Sequence, residues 1–293
     1  MRLFITLVLL AMPFGVYAER IEKSLDADPQ GKLDIEVMSG TIKVIGWDKP
    51  MVRIEGQISS SSGELLFERK TNAIHIEVES GKAGFWGGWN NSDVNLIINA
   101  PHQSQLVAEG HSVDFDLKGL DGSVRASTVS GDIDLDGGTG KIDLESVSGD
   151  INIKDAAGKL NLSSVSGDIR ATATAKYFDA KSVSGDIKAT IGMTERVELE
   201  TVSGDIAVSL GLAKDARLDA DTVSGDIDLN FENQDLNASF DIETGPGGDI
   251  NNHLSDHKIK DQSPFASSLE FELGTGDAHL SLETMSGTID LND

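Results

Sequence analysis

Six aspartates recur at one place in a repeated string: Asp132, Asp150, Asp168, Asp186, Asp205 and Asp226. Each closes a Val-Ser-Gly-Asp run and precedes an isoleucine. In a stacked fold such carboxylates form a ladder with neighbours about 5 Å apart, and each pair repels by about 0.8 kcal/mol even in water. Calcium would offset this, because it takes carboxylate oxygens in flexible geometry. So would hydrogen bonds from serine hydroxyls or backbone N–H groups at a corner. The second account is favoured. Calcium-binding nonapeptides carry Gly-Gly-x-Gly-x-Asp in every nine residues, whereas here Asp follows Gly directly, and only in every second nine.

The other chemistry-bearing residues are weighed in the same way. Ser130, Ser148, Ser166, Ser184, Ser203 and Ser224 repeat too often for a nucleophile, which needs one special environment, and no Gly-x-Ser-x-Gly elbow exists. His253, Asp256 and His257 could share a metal, but they sit in a polar stretch without a helix to fix their spacing, so solvated loop histidines are expected. The stretch from Gly81 to Trp89 sets Phe85, Trp86 and Trp89 among glycines. Aromatics so placed form a contact patch for carbohydrate, a lipid surface or protein, or they cover an open end of the fold. Paired carboxylates of a glycan-cleaving enzyme are no evidence here, because acidic residues are so abundant.

Composition narrows the classes. The 49 acidic and 24 basic residues give a net charge of −25, which excludes a general nucleic-acid binder. The chain has no cysteine, hence no disulfide, thiolate zinc site, iron–sulfur cluster, cysteine nucleophile or lipid-anchored N-terminus. Residues 1–18 read as a signal peptide: Arg2, an apolar run from Leu3 to Met12, a break at Pro13 and Gly15, and small residues at Val16 and Ala18. No later apolar run is long enough to span a membrane. Export to the periplasm is expected, with the cell surface or secretion as alternatives.

The elements that must position these residues are repeats. Val-Ser-Gly-Asp-Ile begins at Val129, Val147, Val165, Val183, Val202 and Val223, and Met-Ser-Gly-Thr-Ile begins at Met38 and Met285. The first four copies lie 18 residues apart, and the next steps are 19 and 21. Glycines from Gly122 to Gly167 mark a finer period of nine. Within each nine, apolar residues alternate with polar ones, as in Ile133 and Leu135, or Ile142 and Leu144. That is the period of a strand with one buried face. The repeat valine is expected to be the next inward residue after a bend. Glycine at the bend permits a kink or a close backbone approach.

Two strands per 18 residues predict an all-β, single-stranded parallel β-solenoid, right-handed, with about 18–21 residues per coil. An antiparallel meander or sandwich is the competing reading. Residues 19–121 form a less regular β part and residues 122–293 the regular solenoid, in one continuous domain. The pair Ala278–Leu282 and Thr288–Leu291 is expected to close the C-terminal end.

The repeat units resemble those of a bacterial family of uncharacterised exported envelope proteins labelled adhesins or β-strand-repeat proteins. Three further stretches are similar to that family: Gly46-Trp47-Asp48-Lys49-Pro50, Val94 to Pro101, and Thr284 to Ile289. The similarity covers nearly all of residues 33–293. The stretch from Phe85 to Trp89 and residues 244–268 depart from it. The resemblance implies a β-solenoid, export and no known enzymatic activity. The expected role is adhesin-like or scaffolding, on an unknown envelope protein or glycan, by a monomer without cofactor. A polysaccharide-active β-helix enzyme and a calcium-stabilised scaffold are the alternatives.

Overall fold

The computed structural model describes residues 19–59, 63–78, 94–232, 236–259, 261–263 and 265–293. The predicted signal peptide and the segment with Phe85, Trp86 and Trp89 lie outside the described residues. Every element among the described residues is a strand. The N-terminal part contains β1 (Glu19–Asp26), β2 (Lys32–Trp47), β3 (Met51–Ile58), β4 (Leu65–Lys70), β5 (Ala73–Val78), β6 (Val94–Pro101) and β7 (Gln105–Lys118). The repeats give β8 (Val124–Thr128), β9 (Ile133–Asp136), β10 (Lys141–Ser146), β11 (Ile151–Ser164), β12 (Ile169–Lys181), β13 (Ile187–Thr201), β14 (Ile206–Thr222) and β15 (Ile227–Phe231). The C-terminal part holds β16 (Ala238–Thr244), β17 (Asp249–Asn252), β18 (Asp261–Ser263), β19 (Ala266–Leu273), β20 (Ala278–Thr284) and β21 (Thr288–Asn292).

The repeat period appears directly in the strand register. Ile142 pairs with Leu160 and Leu144 with Leu162, in parallel. Ile151 pairs with Ile169, and Ile169 with Ile187. Each coil therefore lays one strand in each of two rows. The first row runs β5, β2, β7, β8, β10, β11, β12, β13, β14, β20, β16. The second runs β6, β2, β7, β9, β11, β12, β13, β14, β15, β21, β17. Long strands such as β12 and β13 bend and serve both rows. The core lies between the rows. Ile133, Ile151, Ile169, Ile187, Ile206 and Ile227 stack in the second row, all without solvent exposure. Each such side chain contributes about 1.5–3 kcal/mol of burial.

One expectation about the core is corrected. Val129, Val147, Val165, Val183, Val202 and Val223 do not point inward but are 38–49% exposed. The inward slot before the bend belongs to the preceding residue: Thr128, Ser146, Ser164, Ser182, Thr201 and Thr222, all buried. A hydroxyl belongs there because it answers two polar groups that the bend would bury. The backbone N–H of Gly167 donates to Ser164 Oγ at 2.9 Å, and that of Gly185 to Ser182 Oγ at 2.9 Å. The hydroxyl in turn donates to a glycine carbonyl one coil back, as Thr222 does to Gly204 at 3.3 Å. Valine there would leave a buried N–H unpaired. Ser164→Ala is accordingly expected to cost about 1–3 kcal/mol, read as a lower urea midpoint. Ser164→Thr should be tolerated, since Thr201 and Thr222 fill the same slot.

The coils lengthen at the other corner only. Between the second-row and first-row strands, residues 174–176, then 192–195, then 211–216 make the turn, with register shifts beside each. The Val-Ser-Gly-Asp corner keeps its length throughout.

Both ends depart from sequence order. The predicted closing pair, β20 and β21, is not terminal. β20 lies between β14 and β16, and β21 between β15 and β17. At the other end β2 lies between β5 or β6 and β7. Antiparallel strands then cover both rows at the N-terminal end, β4 on β5 and β3 on β6 with β1 outside β3, and the first row at the C-terminal end, β19 on β16 with β18 outside it. Phe240 and Phe271 stack at 4.4 Å across the C-terminal pairing. Edges with open backbone groups invite pairing with other chains, and an antiparallel cover breaks the parallel run that could continue by stacking.

Candidate functional site

The Val-Ser-Gly-Asp corner collects the repeated polar residues along one edge of the stack. Each aspartate is fixed by the coil after it. The N–H of Asp150 donates to Asp132 Oδ1 at 2.9 Å, that of Asp168 to Asp150 at 2.9 Å, and that of Asp186 to Asp168 at 2.9 Å. Asp205, Asp226 and Thr288 continue the chain of bonds onto Asp186, Asp205 and Asp226. Backbone donors therefore meet the ladder, and cations add to them. Arg170 bridges Asp150 and Asp168 at 3.0 and 2.6 Å, and Lys188 pairs with Asp186 at 2.9 Å. The Asp205 N–H, then Lys188, hold the Asp186 carboxyl below its usual range. The repeated serines lie exposed in a row.

Glycine at this corner answers a close approach. A Cβ on Gly149 would sit 1.9 Å from the Gly131 carbonyl oxygen, and one on Gly167 1.9 Å from that of Gly149. The sequence anticipated this.

Outside the corner, the exposed valines form a continuous ridge. Met285 extends it past Val223 at 49% exposure, whereas Met38, 51% exposed, is set apart from Val129 by the layer that carries His111. A groove of about 540 Å³ runs beside Val165, Val183, Val202, Val223 and Met285. Its far wall is the last outward row of the first-row strands, with Lys181, Glu200, Asp221 and Glu283. Lys181 pairs with Glu198 at 2.8 Å and Glu200 at 2.9 Å, which raises its pKa and lowers that of Glu198. Partial burial, then the charges of Glu283, Asp219, Glu200 and Glu198, raise the Asp221 pKa.

That shift has a consequence for stability. A carboxyl with a raised folded pKa favours the folded state below its unfolded pKa and penalises it once pH exceeds the folded pKa. Asp221→Asn should therefore raise the melting temperature at pH 7, and the gain should vanish below about pH 4. Paired melts across that range check it.

Two further groups were placed by the fold. Asp34, Glu36 and His75 come together because β2 pairs with β5, so that Asp34 faces His75 in register. His75 Nε2 lies 3.2 Å from Glu77 Oε2 and Nδ1 lies 3.9 Å from Asp34 Oδ2. No sequence signal marks this group, since Asp34 and His75 lie 41 positions apart and a spacing pattern cannot show an out-of-order coil. His257 stacks on Phe271 at 5.3 Å and contacts Ser255, and the His253 N–H donates to the Leu291 carbonyl. On the opposite face, Arg170, Lys188, Asn152, Thr172, Thr190 and Ser209 line an open groove of about 510 Å³.

No curated protein matches the chain. Among solved structures, the crystal structure of a putative cell adhesion protein from Clostridium sporogenes is similar at 14% identity, over 94% of this chain and 99% of that one, with a TM-score of 0.27. The family model described as Toastrack DUF4097 matches residues 31–292. With nearly the whole stack inside that match, the chain belongs to the Toastrack DUF4097 family.

Proposed function

We propose that this chain is a non-enzymatic, exported envelope protein with an adhesin-like or scaffolding role, which binds through a rigid acidic β-solenoid. The observation that carries the reading is repetition. Each polar side chain of the corner recurs coil after coil, so the surface offers rows of near-equal environments. A row suits contact over a length, whereas bond-making needs one convergent constellation. Membership of the family and the all-β fold are compatible with this role. In the same reading the coils wind right-handed, the hand of parallel strand connections. Residues 1–18 direct export to the periplasm, and Phe85, Trp86 and Trp89 supply a second contact patch.

The deciding experiment incubates the purified protein with a broad glycan panel. No turnover is expected, and reproducible cleavage of any glycan would overturn the non-enzymatic reading. Protease treatment of intact cells tests location. Survival on intact cells, with cleavage after outer-membrane permeabilisation, is the periplasmic outcome. Cleavage on intact cells moves the protein to the surface. The ladder needs no ion in this reading, so calcium or a chelator should leave the melting temperature unchanged.

A further inference from the structure

The exposed ridge is an uncommon surface for so acidic a chain. Val129, Val147, Val165, Val183, Val202 and Val223 follow one another at the strand spacing of about 4.8 Å, each more than a third exposed. Burial explains the Ile and Leu ladders, and hydrogen bonding explains Ser, Gly and Asp, but neither explains an outward valine in every copy. Contiguous apolar surface of this kind marks contact sites.

Charge identifies the occupant. Two residues before the ridge runs a net-acidic rail of Ser127, Glu145, Ser163, Lys181, Glu200, Asp221 and Glu283, in which Lys181 is already paired with Glu198 and Glu200. Three residues after it runs the other, the Asp132 to Asp226 ladder. The ridge is thus an apolar seam between two negative rails. A second copy placed ridge to ridge would bring rail against rail, and an anionic lipid surface would meet the same repulsion. A cationic partner with an apolar stripe fits. Cations on both sides of one apolar stripe are what a helix offers, since its apolar row advances about 5.3 Å per step with charged positions flanking it. An extended strand facing the ridge alternates its side chains toward and away from it, so it cannot flank the seam on both sides.

We infer that the valine ridge and its two acidic rails form a docking surface for a basic amphipathic helix of a partner protein. The inference rests on the reading of the chain as a binding scaffold and names the chemistry of its partner.

The test uses the full chain and a synthetic 18-residue Leu/Lys peptide with leucine at helical heptad spacing, followed by fluorescence anisotropy. A scrambled peptide of the same composition is the control. The ordered peptide is expected to bind, and the scrambled one at least tenfold more weakly. Val183→Ser combined with Val202→Ser should weaken the ordered peptide about tenfold. Both positions are exposed, so the fold should persist, as a circular dichroism melt will verify. Glu200→Gln combined with Asp221→Asn should weaken it as well, in a rail instead of the seam. Equal binding of both peptides, or no effect of the valine pair, would overturn the inference. So would preferential binding of zwitterionic phosphatidylcholine vesicles that depends on the same valines. None of these outcomes touches the non-enzymatic reading, which fails only on glycan turnover.

Discussion

Replacing Gly167 by alanine is expected to cost about 3 kcal/mol or more and to break the stack at that coil. The new Cβ would lie 1.9 Å from the Gly149 carbonyl oxygen and 2.4 Å from its carbon. Neither is a side chain that can swing aside. Both belong to the backbone of the previous coil, whose Asp150 N–H is bonded to Asp132 and whose Asp150 carboxylate holds the Asp168 N–H. Relief therefore requires the coils to part and the hydrogen bonds at the corner to lengthen together. Overpacking a tight core costs about 1–3 kcal/mol where side chains can adjust; here the obstacle is main chain. Gly192→Ala is the matched control, since its Cβ would meet Thr174 at 3.5 Å, an ordinary contact. That variant should stay within about 0.5 kcal/mol of the parent. Urea midpoints of the two variants decide it, and equal midpoints would mean that the corner is looser than its geometry.

The legible part of this fold is the part that repeats. Ile151 over Ile169 over Ile187 follows from a spacing of 18 and a period of two. So does the close approach at Gly149 and Gly167. The error about the valines came from extending strand alternation through the bend. The sequence held the remedy: the residue before each valine is Ser or Thr in all six copies, from Thr128 to Thr222, and again at Thr284. A hydroxyl kept before an apolar residue at a bend signals a polar group to satisfy inside. The order of the end coils was not legible, because β20 resembles any other first-row strand. Its place between β14 and β16 is set by long-range pairing, for which local pattern carries no information. The same limit hid the cluster of Asp34, Glu36 and His75, whose members meet only because β2 lies against β5. The carboxylate ladder was legible as a choice between cation and hydrogen bond, and the Oδ1 to N–H bonds supply the second.

Deleting residues 277–293 should have a larger effect than any single substitution. This segment carries β20 and β21, which are a wedge inside the stack. Its removal strips β14 and β15 of their parallel partners on one side and β16 and β17 on the other. Leu218, Ala220, Ile227 and Leu229, all fully buried, would then border an empty layer. The antiparallel strands covering that end are attached through β16, so the cover is displaced with the wedge. Collapse across the gap would have to close one strand spacing, about 4.8 Å, while Phe231 and Ala238 stay only seven residues apart in the chain. The expected product is a chain that self-associates through its open edges, seen as a shift to higher mass in size-exclusion chromatography with light scattering. Co-expression of the deleted segment as a separate peptide should restore the parent's mass, because its contacts are made through pairing and do not require the connection from β19. A truncated chain that keeps the parent's oligomeric state and melting temperature would show that the inserted coil is dispensable and that the end cover suffices.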